Sequence, residues 1–442
     1  MKKKLENRKN NKSIIVSTLI FVITFIAMAG YLIYFNLTQA ESIINNSYNK
    51  RQGVLSRRTI RGSILSDDKT KLAVTNVDDD GNETRYYPYS GLFSHTIGYL
   101  NNGGYGLESL YGYYMLHSNQ NFFEQIGNDL SGNRNTGDNV VTTLNVGLQK
   151  ACYDALGSNR GAVIVMEPST GKILAMVSKP DFDPNTLAAN WSQITGEGSD
   201  SVLVNRATQG LYPPGSTFKL ITMLEYLREH KNDYGQYHYI CDGTYELGNN
   251  TINCVRTTAH GDVDLFSSLA VSCNCSFINI GLSLDLDRYK KTAEKMLFNK
   301  ELPTNLEYNK SRFVLNGESS EWDIAQTSFG QGKTVITPFH LALITCTIAN
   351  NGTLMEPYLV SSVESTNGMT VKKFKEEKYD TLITEKEASL LKKGMEQVVK
   401  DSFSWLFGGV EYTLAAKSGS AQYGTEGYEH SLYASFSPAD NP

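Results

Sequence analysis

Residues Ile14 to Asn36, IIVSTLIFVITFIAMAGYLIYFN, contain no charged side chain. As a helix rising about 1.5 Å per residue, this run is long enough to cross the roughly 30 Å hydrocarbon layer of a bilayer. A transmembrane anchor at 14–36 is therefore predicted. The preceding residues 1–13, MKKKLENRKNNKS, hold six Lys/Arg against one Glu, although the 442-residue chain carries a net charge of −5. Basic residues just before an apolar span favour a cytoplasmic N-terminus, so the acidic bulk of the chain is expected outside. Ala27-Met28-Ala29 has the small-residue spacing of a signal-peptide cleavage site. The apolar run continues past it, which favours a retained anchor.

Over the whole chain, 40% hydrophobic and 20% charged residues describe ordinary globular material, enough for a large core and more than one domain. A disordered tail and a nucleic-acid binder are both excluded. An oxidising exterior permits disulfides, and Cys241 with Cys254, flanking DGTYELGNN, is the best local pair. Cys152, Cys273, Cys275 and Cys346 complete the set. A domain with a core of its own needs no staple, so buried free thiols are the favoured reading. The seven histidines show neither HxH nor HExxH spacing, and no metal site is expected.

Residues 37–145 are polar, rich in Asn, Gly and Tyr, with short apolar pieces such as SHTIGYL and GLESLYGYYML. They read as an irregular pedestal domain. The glycines of GGYGLE lack a preceding apolar strand and read as a plain turn. From Val146 the pattern sharpens. GLQKACYDAL has helical spacing, and GAVIVME and KILAMV read as a hairpin turned by PSTG. A helix-rich middle follows, through ALITCTIAN; YTLAAKSGSA and SLYASFSPA then read as two late strands joined by QYGTEGYEH. Strands at both ends with helices between predict one α+β domain over 146–442.

The stretch YPPGSTFKL, Tyr212 to Leu220, carries the candidate chemistry. Pro213 and Pro214 hold the chain extended and Gly215 permits a sharp turn, so Ser216 is expected to begin a helix running through FKLITMLEYLREH. Ser216 and Lys219 then lie one turn apart on one face. A helix N-terminus favours developing negative charge and offers N–H groups to an oxyanion. A lysine becomes a base only where burial or another cation lowers its pKa. S-x-x-K spacing alone proves little, since Ser47/Lys50, Ser66/Lys69 and Ser169/Lys172 share it, and a helix cap with a solvated lysine explains an isolated case. The weight comes from order: Ser272-Cys273-Asn274 follows, then Lys417-Ser418-Gly419. S-x-x-K with S-D-N and K-T-G is the motif set of penicillin-binding proteins and class A β-lactamases; here the second and third motifs are SCN and KSG, and the physical logic survives the changes. Ser272 offers a hydroxyl to relay a proton and Asn274 an amide to hold a peptide. Lys417 offers a second cation, Ser418 a hydroxyl for a carboxylate, and Gly419 room for substrate along a strand.

With these motifs the chain resembles a class B penicillin-binding protein, a membrane-anchored D,D-transpeptidase. RGSILSDD, HTIGYL, GLE, RGAVIVMEPSTGKILAMVSKPDFDPN, HGDVDLFSSLAVSCN, FGQGKTVITPFHLAL, IANNG and FSPADNP fall in family order, over nearly the whole chain. The resemblance implies a penicillin-binding/serine β-lactamase-like transpeptidase fold, an antiparallel sheet with helices, placed after the anchor and pedestal. It implies acylation of Ser216 by the D-Ala-D-Ala end of a peptidoglycan stem peptide or by a β-lactam. Lys219 would be the base, Ser272 and Lys417 the proton path, Asn274 and Ser418 the substrate contacts, and the Ser216 and Ser420 N–H groups the oxyanion hole. It implies no cofactor and no metal, and a membrane glycosyltransferase as partner.

In that family another strand and a terminal helix follow FSPADNP and complete the sheet. Residues 1–442 alone are expected to lack them, and so to be unstable or weakly acylated. The competing readings are a β-lactamase, with Glu301 of ELPTN as deacylating carboxylate; a D,D-carboxypeptidase; a β-lactam sensor, for which residues 1–13 are too short a signalling domain; and a non-catalytic cell-wall scaffold.

Overall fold

The computed structural model describes residues 2–38, 59–196, 198–423 and 428–442. Helix α1 (Lys2–Thr38) contains the apolar run. Its segment Ile14–Phe35 has a mean hydropathy of 2.3, and its apolar side chains face outward all round. A helix that is apolar on every face and packs on nothing requires an apolar solvent.

The pedestal is more regular than its composition suggests. Asn139–Thr142, Ile64–Leu65, Lys71–Val77 and Glu83–Tyr86 lie side by side in one sheet, and Val360–Glu364 and Thr370–Lys373 extend it beyond Asn139–Thr142. Val360 pairs with Thr142 and Val363 with Val140, so chain from far beyond residue 146 completes the pedestal. Strands of two to seven residues carry too little alternation to be read locally. The landmarks RGSI and GLE meet inside this unit. Glu108 is fully buried and receives Arg61 Nε at 2.8 Å and Arg85 Nε at 2.7 Å. Burial alone would raise the Glu108 pKa; the two guanidiniums overcome it and hold the carboxylate below its ordinary range.

The second unit opens with the helix Val146–Leu156, capped by the Asn145 side chain on Leu148 N. Strands β1 (Gly161–Met166) and β2 (Ile173–Lys179) form the expected hairpin, with Gly161 opposite Lys179. Gly171 turns it at φ 83°, and a Cβ there would lie 2.3 Å from Glu356 O. Strands β3 (Ala415–Tyr423) and β4 (Tyr428–Phe436) pair antiparallel from Ala415/Phe436 to Tyr423/Tyr428. The two hairpins are separate two-stranded ladders, and among the described residues no strand bridges them. The apolar helix Pro338–Ala349 packs against both β1 and β4, burying Phe339, Leu343 and Ile344. The helix-rich middle also contains a β insertion that the sequence reading missed. His238–Cys241 pairs with Gly261–Asp264, and Thr244–Leu247 pairs with Asn250–Asn253.

Candidate active site

Gly215 adopts φ 55° and its N–H donates to Gly330 O at 2.9 Å. The reverse contact is tighter still, because a Cβ on Gly330 would fall 1.8 Å from Gly215 O. This clasp bends the chain so sharply that Gly215–Phe218 forms a 3₁₀ turn, and α2 (Lys219–Glu229) begins only at Lys219. The expected α-helix from Ser216 is thus a tight turn feeding a helix, a common form of helix N-terminus. Ser216 stays half-buried on this turn while Lys219 is fully buried.

The second motif lies where two helices meet. Leu265–Ala270 is started by an Asp264/Ser267 capping box, and α3 (Asn274–Ser283) is capped by Cys273. Between them Ser272 takes the left-handed conformation at φ 56°. That turn directs carbonyl, hydroxyl and amide at one point: Lys219 Nζ donates to Ser272 O at 2.7 Å, to Asn274 Oδ1 at 2.8 Å and to Ser272 Oγ at 3.2 Å. Asn274 is held in turn by its Nδ2, which donates to Asn253 O at 3.0 Å.

The third motif runs along β3. Lys417 is fully buried and its Nζ donates to Ser272 Oγ at 3.0 Å and to Ser418 O at 2.9 Å. A Cβ on Gly419 would lie 3.1 Å from Ser216 N and 2.9 Å from Pro214 O, so only glycine lets this strand lie against the nucleophile turn. Likewise a Cβ on Gly215 would lie 3.1 Å from Ser420 N. Ser418 is half-buried and Ser420 exposed.

Two buried amines therefore share one hydroxyl. Burial lowers Lys219 to about 8, against a partial opposing pull from the thiols of Cys273, Cys254 and Cys275. Burial, then the charge of Lys219, pushes Lys417 well below its ordinary value. Two adjacent ammonium groups in a dry site resist being charged together, so the cluster stores a proton acceptor three residues along the chain from Ser216.

Three other S-x-x-K tetrads, Ser66/Lys69, Ser169/Lys172 and Ser389/Lys392, have their lysines occupied elsewhere, the last pairing with Asp440. Ser66 Oγ donates to Asp68 at 2.5 Å and Lys69 pairs with Glu364; Lys172 pairs with Glu167. Ser47 and Lys50 lie outside the described residues. Glu301 is an exposed carboxylate held by Lys310 at 2.5 Å, a surface loop rather than a buried deacylating base. Sequence reasoning quoted FGQGK without a role for Gly330, whose use becomes visible only when it meets Gly215. It also singled out only Cys241 with Cys254 as a local pair where four cysteines cluster: Cys254 Sγ lies 3.8 Å from Cys241, 3.8 Å from Cys273 and 3.4 Å from Cys275. All six are free and buried, so the Cys241–Cys254 bridge is not formed.

A serine on a clasped turn, a buried lysine one turn on, and a second lysine from an antiparallel strand define the serine acyl-transferases of the penicillin-binding fold. The chain belongs to the penicillin-binding protein transpeptidase family: residues 161–442 match the penicillin binding protein transpeptidase domain, and residues 61–140 the penicillin binding protein A dimerisation domain. It is 31% identical over 389 residues to the peptidoglycan D,D-transpeptidase PbpA of Mycolicibacterium smegmatis, covering 82% of this chain and 76% of the relative. The ceftriaxone acyl-enzyme of penicillin-binding protein A from M. tuberculosis superposes with a TM-score of 0.79 at 28% identity, covering 88% of this chain and 92% of that one. The D,D-transpeptidase domain of a peptidoglycan glycosyltransferase from Eggerthella lenta gives 0.78 at 29% identity, covering 87% and 92%.

Proposed function

We propose that this protein is a membrane-anchored peptidoglycan D,D-transpeptidase that works through an acyl-enzyme on Ser216. The convergence of Lys219 and Lys417 on Ser272 Oγ carries the reading. Lys219, in its neutral form, takes the Ser216 proton as Oγ attacks the D-Ala-D-Ala carbonyl. The N–H groups of Ser216 and Ser420 receive the oxyanion, Asn274 the peptide, Ser418 the terminal carboxylate, and Gly419 leaves room for the chain along β3. Ser272, between the two amines, passes the proton to the departing D-alanine; the amine of a second stem peptide then releases the acyl group as a crosslink. The proton that the attacking amine loses returns through Lys219 to Ser216 Oγ as the ester bond breaks, so the serine is restored. β-Lactams acylate the same serine and are not readily displaced.

The basic residues before the span support a cytoplasmic N-terminus and an extracytoplasmic catalytic domain over 146–442, raised on a pedestal over 37–145. A membrane glycosyltransferase that polymerises lipid-linked disaccharide is the partner this reading implies. Incubation with benzylpenicillin, followed by intact mass and peptide mapping, tests it: a stable adduct on Ser216, absent in Ser216→Ala, is expected. An unmodified chain would sink the reading.

A further inference from the structure

Behind the S-x-N turn, four elements bring thiols and an imidazole together. Cys241 ends the strand His238–Cys241, Cys254 follows Asn250–Asn253, His260 precedes Gly261–Asp264, and Cys273 lies inside the motif itself. The donor atoms of Cys241, Cys254, His260 and Cys273 all lie within 4.8 Å of one another, and the three thiols are at most 2% exposed. A zinc ion with Zn–S near 2.3 Å and Zn–N near 2.0–2.1 Å has tetrahedral edges of about 3.8 Å between sulfurs and about 3.6 Å between sulfur and nitrogen. Here Cys241 Sγ and Cys254 Sγ are 3.8 Å apart, Cys254 Sγ and Cys273 Sγ 3.8 Å, and Cys241 Sγ and His260 Nδ1 3.5 Å. The intervening loop has the strain of a tethered segment, with Arg256 at φ 58° and Thr257 at φ 53°, neither of them glycine.

We propose that Cys241, Cys254, His260 and Cys273 form a structural site for a soft divalent cation, zinc being the natural occupant. Thiolate and imidazole donors on four elements suit zinc, and a closed Cys₃His set leaves no position for substrate. Cys275, 3.4 Å from Cys254, packs beside the set as a further thiol. The cation is a latch, outside the acyl-transfer chemistry. Cys273 stands between Ser272 and Asn274, whose oxygens receive Lys219, so fixing its sulfur fixes the turn that presents both groups. It also fastens the β insertion 238–264 to the N-terminus of α3, where Asn253 O already holds the Asn274 amide.

The test uses the full chain purified in detergent under reducing, metal-free conditions. Inductively coupled plasma mass spectrometry is expected to find about one zinc per chain, with Cys346→Ser unchanged and Cys254→Ser depleted. Cobalt(II) exchanged into the wild-type chain is expected to give the thiolate charge-transfer and intense d–d bands of a tetrahedral thiolate site, a readout that needs no variant to fold. His260→Asn is expected to weaken zinc by at least the roughly tenfold that removal of an outer-shell partner costs. Chelation is expected to slow benzylpenicillin acylation several-fold, with recovery on zinc addition. Substoichiometric zinc with no cobalt band overturns the site whether or not Ser216 is acylated, and so does peptide mapping of the chain purified without reductant that finds Cys254 in a disulfide.

Discussion

Lys219 and Lys417 reach the same atom: their amines lie 3.2 and 3.0 Å from Ser272 Oγ, one from the first turn of a buried helix and one from a strand. The arrangement is costly to fold, since each buried ammonium loses its hydration, and useful to catalysis for the same reason.

The first prediction concerns pH. With Lys219 as the proposed base, acylation requires its neutral form, and burial lowers its pKa to about 8. The second-order rate constant for benzylpenicillin should therefore rise with pH and level off above about 8. The stability sign follows from the same shift. Both lysines have folded values below their unfolded ones, so the folded chain binds fewer protons and gains stability as pH climbs from about 8 toward the ordinary lysine range. A flat acylation profile from pH 6 to 9.5 would count against Lys219 as the base.

Removing the shared hydroxyl tests the proton path. Ser272→Ala should lower the acylation rate by about 10²–10⁴, the usual worth of a positioned acid–base group, while the fold persists. Stopped-flow quenching of intrinsic fluorescence would measure it, with circular dichroism as the check on folding. A rate within twofold of the parent would remove Ser272 from the mechanism.

The glycine clasp makes a steric prediction. Gly330→Ala places a Cβ 1.8 Å from Gly215 O at a φ of 87°, so Gly215 must move and the nucleophile turn with it. Strain of this kind costs roughly 1–3 kcal/mol and should lower the Tm by several degrees as well as suppress acylation. Gly317→Ala, with nothing within 4 Å of the new methyl, is the matched control.

In the pedestal, Glu108→Gln leaves Arg61 and Arg85 buried without their carboxylate. Breaking such a group typically costs about 3–5 kcal/mol. Differential scanning calorimetry should show the loss, and penicillin acylation of the surviving folded fraction should keep its rate constant, because no contact of Glu108 reaches the three motifs. A selective loss of acylation with an unchanged Tm would contradict this assignment.

Much of this was legible in the residues. The span Ile14–Phe35, the hairpin Gly161–Lys179, the late strands and the three motifs each rest on a local signal: an uncharged run, β-branched alternation around a turn, or a short pattern of reactive side chains. The pedestal sheet was not legible, because strands as short as Ile64–Leu65 have no period, and Val360–Glu364, which extends the sheet by pairing with Asn139–Thr142, lies far along the chain. The β insertion escaped for the same reason, and with it the gathering of Cys241, Cys254, His260 and Cys273, whose spacings match no short ligand motif.

By itself the sequence determined which groups are available and what each segment prefers locally: a helix that must lie in lipid, a serine and lysine one turn apart, a glycine just before Ser216 and another just after Ser418. Only the tertiary structure decided what those groups are. Lys219 and Lys417 are ordinary cations until the core removes their water and sets them against one hydroxyl. Gly330 and Gly419 are ordinary glycines until another backbone closes on them. Desolvation and close approach belong to pairs of residues distant in the chain, and no local pattern encodes them.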